Sequence, residues 1–305
     1  MLKFLESKSK LGEIAMTSFR KMKLDDLNLV STFIAELNNI ETSHIGYCGK
    51  EQQSIANDLM EEFDIPFTDS FVLAFEQDQL IGVVGFDADL ESEYAEIWGP
   101  FIREGYAHIT MSLWSEMEKL IPKKIKQLEM FPNIENTICI KLAQELNFEK
   151  MSTESILQFS SLYKEKLKET PLIEIDEKHF ADMIKLHDET FPNTYYSGRQ
   201  IIERMNDIQK VFILTNDDTL LGYIYVEVEP EFGDASIEFF AVKPSERGKG
   251  IGSKLILGAL KWIFTFESIE TVVLCVNGEN KNAIHLYKKV GFEEEHRLYS
   301  YRKKY

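Results

Sequence analysis

Cysteine is scarce in this sequence: among 305 residues only Cys48, Cys139 and Cys275 carry a thiol, far apart and with no CxxC pair. That spacing argues against a disulfide framework and a cysteine-based zinc site, and it suits a reducing compartment. Six histidines are present, none with a second ligand beside it in a metal-binding pattern, so no metal site is expected. No apolar run approaches the ~18 residues that a membrane span requires. Charges interrupt Met1–Glu6 before any apolar stretch forms, so no signal peptide is expected and the expected location is the cytoplasm. Basic residues are outnumbered, 34 Lys and Arg against 51 Asp and Glu, for a formal charge of −17. Such a field opposes general nucleic-acid binding, which relies on basic groups to displace counterions. It favours a cationic small molecule or peptide as partner, and equally serves simple solubility.

The apolar share of 44% and the charged share of 28% are those of a globular chain, and the length suits two domains of about 150 residues. A charged, apolar-poor segment, Tyr163–Pro171, separates two strand-rich stretches, and Pro171 stops any helix there. This places one domain over 15–167 and a second over 168–305. In the second, Asp176 is positioned to cap a helix reaching Phe191, and Ser197–Asn206 reads as a short helix. Strands are predicted over Val211–Leu214, Leu221–Val228 and Ala235–Val242. After a glycine loop come a helix over Ser253–Phe266, a strand over Thr271–Val276, a helix over Asn282–Val290 and a last strand over Arg297–Arg302. The order implies a mixed, mostly antiparallel α/β sheet flanked by helices.

The loop Arg247-Gly-Lys-Gly-Ile-Gly252 runs from a strand into a helix. Glycines there let the backbone turn with positive φ and bring bare N–H groups to a helix N-terminus, which is an anion cradle. No Gly-Lys-Ser/Thr occurs, so a Walker A loop is excluded. A dinucleotide fingerprint begun at Gly248 has Ser253 where its third glycine belongs, although an acid, Glu270, lies ~20 residues on. A third pattern, [Q/R]-x-x-G-x-[G/A], is met by Arg247, Gly250 and Gly252. Further on, Asn280, Ala283, Leu286-Tyr287 and Gly291-Phe292 meet N-x-x-A-x-x-L-Y-x-x-x-G-F at every position.

These two motifs, in this order, resemble the GNAT superfamily of coenzyme A–dependent N-acetyltransferases, and the resemblance runs from Leu172 to Tyr305. It implies an enzyme moving an acetyl or short acyl group from acetyl-CoA, or another acyl-CoA, to a primary amine. It implies that Phe240, Ala241 and Val242 pair with the pantetheine arm through their backbone. The N–H groups of Gly248, Lys249, Gly250, Ile251, Gly252 and Ser253 would hold the pyrophosphate, with Arg247 and Lys249 adding charge. Asn280 would hydrogen-bond the cofactor arm, and Ala283 would leave room for it. Tyr287 holds the family position for the proton donor to the departing sulfur; its bland alternative is a core aromatic. Strand alternation puts Ser236, Glu238 and Phe240 on one face, making Glu238 the candidate base or else a solvated carboxylate. The acids Glu227, Glu229, Glu231 and Asp234 are better read as a solvated hairpin than as a lure for amines. The alternative function is a non-catalytic acyl-CoA sensor. Neither the acceptor nor the oligomeric state is legible.

The upstream half repeats the pattern. Gln79-Leu-Ile-Gly82 precedes Thr219-Leu-Leu-Gly222 by the same offset as Ala95–Ile102 precedes Ala235–Val242, and a slightly longer offset relates Asn136 to Asn280. Between the two matches the short segment Arg103–His108 replaces the longer Lys243–Gly252, and Ala143 stands where Tyr287 does. The first half therefore reads as a degenerate GNAT-like domain that does not catalyse, with binding of a different ligand as its alternative.

Overall fold

The computed structural model describes residues 17–305 apart from 62, 169 and 193. Met1–Glu6, and the start of the first domain at residue 15, lie outside the described residues. In chain order the strands are β1 (Thr17–Lys21), β2 (Val72–Glu76), β3 (Gln79–Asp89), β4 (Tyr94–Ile102), β5 (Gln127–Met130), β6 (Glu149–Ser160), β7 (Ile173–Glu174), β8 (Gln209–Asn216), β9 (Thr219–Glu229), β10 (Asp234–Val242), β11 (Thr271–Asn277) and β12 (Glu293–Lys304). The helices are α1 (Leu27–Asn38), α2 (Gln52–Glu61), α3 (Phe67–Ser70), α4 (Thr110–Glu118), α5 (Thr137–Glu145), α6 (Glu177–Thr190), α7 (Gly198–Arg204), α8 (Ile251–Ile263) and α9 (Lys281–Val290).

The internal repeat is carried by the backbone as well as the sequence. The bounds of β3 and β9 differ at both ends by the offset that also separates those of β4 and β10. The bounds of β6 and β12 differ by the longer offset that relates Asn136 to Asn280. Those two asparagines cap α5 and α9 in the same way, each side-chain oxygen accepting the backbone N–H three residues on. Each helix is followed by a left-handed residue, Asn147 in one case and Gly291 in the other.

The chain forms two units, residues 1–150 with 300–305, and residues 151–299. The split falls at Lys150/Met151, upstream of the charged segment from which the sequence suggests a boundary near 168. The reason is that each unit takes a strand from the far half of the chain. Residues 154–160 of β6 pair antiparallel with all of β11, inside the second unit. Residues 301–304 of β12 pair antiparallel with β5, inside the first. A charged surface segment marks a break in burial, but it does not mark where strand pairing changes hands.

In the second unit β8, β9 and β10 run antiparallel and β10 meets β11 in parallel. Central β9 is apolar on both faces, as a strand covered twice must be. Ile224, Val226 and Val228 pack beneath α8, while Leu220, Tyr223 and Tyr225 pack beneath α6 and α7. Helix α8 contributes Leu255, Ile256, Ala259, Leu260 and Ile263, a 3.6-residue stripe whose large side chains each stabilise by roughly 1.5–3 kcal/mol on burial.

Candidate active site

The parallel ladder between β10 and β11 holds only three pairs, Asp234–Thr271, Ala235–Val272 and Ser236–Val273. Beyond Ser236, β10 continues to Val242 against β9, and β11 continues to Asn277 against β6. The two strands part, leaving a wedge whose β10 edge includes Phe240, Ala241 and Val242. Unpaired strand backbone of this kind is a template for an extended ligand arm.

The glycine loop lies past the open end of β10. Gly248 and Gly250 have φ of +78° and +79°, and an added Cβ at either would meet nothing within 4 Å. These glycines are therefore required by backbone conformation, and the space beside them is open. Gly250 is the N-cap of α8, and no side chain caps that end. The first N–H groups of Ile251, Gly252 and Ser253 are thus left by helix geometry for an outside acceptor. Gly252 is needed for space instead, because a Cβ there would lie 2.9 Å from both Leu286 and Phe240. Arg247 turns its Nε to the Val242 carbonyl at 3.3 Å, and Lys249 pairs with Glu246 at 3.0 Å. Both cations lie on the loop surface, already tethered to it.

Tyr287, on α9, is 7% exposed. Its ring meets Phe240 of β10 at 6.2 Å and Phe292 at 5.7 Å. Burial first, and the charge of Cys275 on β11 second, push its pKa up. The ring thus lies against β10, and the hydroxyl has no hydrogen-bond partner among the described residues. Asn280 spends its side-chain oxygen on the Ala283 N–H at 3.2 Å, which leaves its amide NH₂ to meet a ligand.

Glu238 does not share a face with Phe240, contrary to strict alternation. Ile237 pairs with Val226 and Phe239 with the next residue back, Tyr225, so Glu238 is the extra residue of a β-bulge. The bulge inverts the alternation. Ile237 and Phe240 pack on the α8 side, whereas Phe239 and Ala241 pack on the α6 side. Glu238 turns to the α6 side too, where its Oε2 accepts the hydroxyl of Tyr195. The expected site residues thus form two groups on either side of the wedge. The loop, Phe240 and Tyr287 lie on one face, and Glu238 lies on the other.

Around Glu238 the structure adds residues that no motif marks. Tyr195 packs against Phe239 and Tyr196, each at 4.8 Å. Its pKa is raised by burial and by Glu238; since 57% of the residue is exposed, the hydrogen bond to Glu238 is the firmer of these causes. His187 donates from Nε2 to the Tyr196 carbonyl at 2.8 Å, so its Nδ1 accepts the Tyr223 hydroxyl at 2.5 Å. Burial lowers its pKa and favours this neutral form. Tyr225 donates to Glu227, which also faces Arg204 at 3.5 Å, and Arg204 stacks on Tyr196 at 4.3 Å. The only trace of this cluster in the sequence is the adjacent pair Tyr195-Tyr196 in an otherwise polar loop.

Wedge, loop and capped helix define a GNAT-type α/β domain. Residues 180–292 match the acetyltransferase (GNAT) family. Over 89 residues it is 33% identical to a mycothiol acetyltransferase of Rhodococcus jostii, a stretch covering 28% of this chain and 29% of that one. It is 36% identical over 80 residues to a spermidine N(1)-acetyltransferase of Vibrio cholerae, covering 26% of this chain and 46% of the relative. The chain thus spans less than half the length of either relative. Among solved structures, a GCN5-related N-acetyltransferase from Sphaerobacter thermophilus superposes with a TM-score of 0.70 at 13% identity, covering 94% of this chain and 95% of that one. A tandem GNAT protein from the clavulanic acid biosynthesis pathway gives 0.62 at 13% identity, covering 95% and 98%. At such identity these two establish the fold alone, over both halves. No helix among the described residues is long and apolar enough to cross a membrane.

Proposed function

We propose that the second unit transfers an acetyl or other short acyl group from acyl-CoA to the primary amine of a small molecule or peptide, by direct attack. The parting of β10 and β11 beside an uncapped glycine-rich helix start, with Tyr287 at the wedge, is the observation that carries this reading. The empty space over Gly248 and Gly250 suits a diphosphate, held by the N–H groups of Gly248 to Ser253. The edge from Phe240 to Val242 would pair with the pantetheine arm, and the Asn280 amide would hold it beside Ala283.

The amine's nitrogen forms the new C–N bond as the C–S bond breaks. The amine's proton goes to Glu238, directly or through water, and the departing sulfur takes the Tyr287 proton. Burial keeps the Tyr287 hydroxyl protonated, so its proton is in place as the C–S bond breaks and charge develops on the sulfur. The protein's acidity favours a cationic acceptor.

The first unit, on this proposal, has the fold without the chemistry. Ala143, fully buried, stands where Tyr287 does, and Arg103 of the shortened loop turns its Nε to the Leu80 carbonyl and stacks over Phe33. The test is thiol release from acetyl-CoA across a library of amines, peptides and aminoglycosides, read together with acetyl-CoA binding by calorimetry. Binding without release on any acceptor would refute acyl transfer.

A further inference from the structure

Glu238 is held by one oxygen and open at the other. Oε2 accepts the Tyr195 hydroxyl, and Oε1 has no hydrogen-bond partner among the described residues. The bulge that lifts Glu238 out of the alternation also brings Phe239 beneath the ring of Tyr195, with Tyr196 edge-on to it. The result is a carboxylate oxygen presented beside aromatic faces. A carboxylate suits an ammonium through charge-assisted hydrogen bonds, and aromatic faces attract its flanking CH₂ groups and its charge. They give nothing to an anionic amine, and the nearby Glu227 is already engaged with Arg204 and Tyr225.

We propose that Tyr195, Glu238 and Phe239 form the head-group site for an aliphatic ammonium, and that Tyr195 is the positioning residue that fixes Glu238 and selects cationic alkylamines over amines bearing a carboxylate. The proposal rests on the acyl-transfer reading above and goes beyond it by naming the acceptor class and the residue that sets it. Alkylamines are almost wholly protonated at neutral pH, so the acceptor must first be bound as an ammonium and then lose a proton. Tyr195 serves both stages. Its ring lines the ammonium's approach, and its hydroxyl keeps the carboxylate rotamer aimed so that Oε1 meets the nitrogen. The ring and the hydroxyl can therefore be separated experimentally.

The experiment measures thiol release from acetyl-CoA by the full-length wild type, Tyr195→Phe and Tyr195→Leu. The acceptors are 1,4-diaminobutane, glucosamine and β-alanine, with acetyl-CoA affinity followed by calorimetry. Diaminobutane should show kcat/KM at least about 10-fold above β-alanine, as one well-formed cation–aromatic and carboxylate contact would give. Tyr195→Phe, which keeps the ring, should lower kcat for diaminobutane about 10-fold with KM within about twofold. Tyr195→Leu should raise that KM about 10-fold as well. Acetyl-CoA affinity should stay level in both variants, which also serves as the check that they fold. Wild-type kinetics in both variants, or a preference for β-alanine, would overturn the head-group site while leaving acyl transfer standing. Bound acetyl-CoA with no thiol released on any acceptor by the wild type would instead bring down the acyl-transfer reading, and this inference with it.

Discussion

In the first unit the bulged step of β4 begins at Trp98, 4% exposed and packed edge-on against Phe63 and Phe71. In the second the matching position of β10, at the offset that relates the two strands, is Glu238, held by Tyr195 with one oxygen open. The backbone differs at that position, where Trp98 pairs with Gly85 and Glu238 has no ladder partner, and agrees on either side of it. Each parallel ladder has three pairs, Tyr94–Gln127 to Glu96–Glu129 in one unit and Asp234–Thr271 to Ser236–Val273 in the other. A Cβ at Gly85 would lie 2.4 Å from the Phe71 ring, so aromatic packing closes the first unit's face down to the sheet. The difference teaches that related strands can carry an open, hydrogen-bonded carboxylate in one unit and close-packed aromatic side chains in the other.

The largest expected effect tests the tyrosine that one unit has and the other lacks. Tyr287→Phe should lower kcat about 100-fold, the range of a lost general acid, with acetyl-CoA affinity unchanged. Single-turnover thiol release with parallel calorimetry measures both, and retained turnover would remove the chemical contrast between Tyr287 and Ala143.

A second effect belongs to the first unit alone. Glu96 of β4 stands in register between Asp87 of β3 and Glu129 of β5, the latter paired with Arg302 at 2.7 Å. Its Oε1 is enclosed without a partner, and burial first, then Asp87 and Glu129, push its pKa up to about 8. Burial pushes Tyr94 beside it up to about 12, and burial first, then Glu96, pushes the Cys48 thiol up. Between the ordinary glutamate range and pH 8 the folded chain keeps this proton and the unfolded chain releases it. The group's favourable contribution is thus complete in acid and is lost as pH rises to 8. Glu96→Gln should therefore flatten the fall in thermal stability between the ordinary glutamate range and pH 8, by about 2 kcal/mol once it is complete at pH 9. That is less than half of what about 1.4 kcal/mol per pKa unit would give, because Glu96 is only half-buried. The second unit has Ser236 at this place, so an unchanged pH profile would erase a difference between the units.

Most of the loop and helix geometry on which the proposed cofactor side rests was legible in the sequence, because its requirements are local. Gly250 must be left-handed, Gly252 must lack a Cβ, and Asn280 must cap the helix that carries Tyr287; each is a constraint on one residue at a fixed spacing. The surroundings of Glu238, the proposed acceptor side, were not legible. One inserted residue in β10 reverses which side chains face α6, and period-two reasoning from Ser236 to Phe240 cannot detect it. Tyr195 reaches Glu238 across 43 positions of sequence. The boundary near 168 missed for a similar reason, since β6 and β12 cross between the units through long-range pairing.

The loops offer a third contrast. Gly250 and Gly105 both have positive φ, +79° and +89°, with open space around the missing Cβ. Valine at either should cost about 1–2 kcal/mol of stability through left-handed strain. Only Gly250→Val should also raise the KM for acetyl-CoA, by about 10-fold, since it disturbs the N–H groups of the helix start. A matching KM rise from Gly105→Val would show that the first unit shares in holding the cosubstrate.

The smallest effect separates two caps of the same design. Asn280 caps α9 from the surface, whereas Asn136 caps α5 from the interior and adds a bond from its amide to the His44 carbonyl at 3.3 Å. Alanine at 280 should cost about 1 kcal/mol of stability, the usual worth of an N-cap. Alanine at 136 should cost about 1 kcal/mol more, because it leaves the buried helix N–H of Cys139 without its partner where water cannot replace it. On the proposed reading the order reverses for catalysis, with only Asn280→Ala weakening acetyl-CoA binding. Chemical denaturation and calorimetry on the two variants give both numbers. If Asn136→Ala weakened the cosubstrate as much as Asn280→Ala, the inner asparagine would have kept a ligand role, and the division of labour between the units would have to be redrawn.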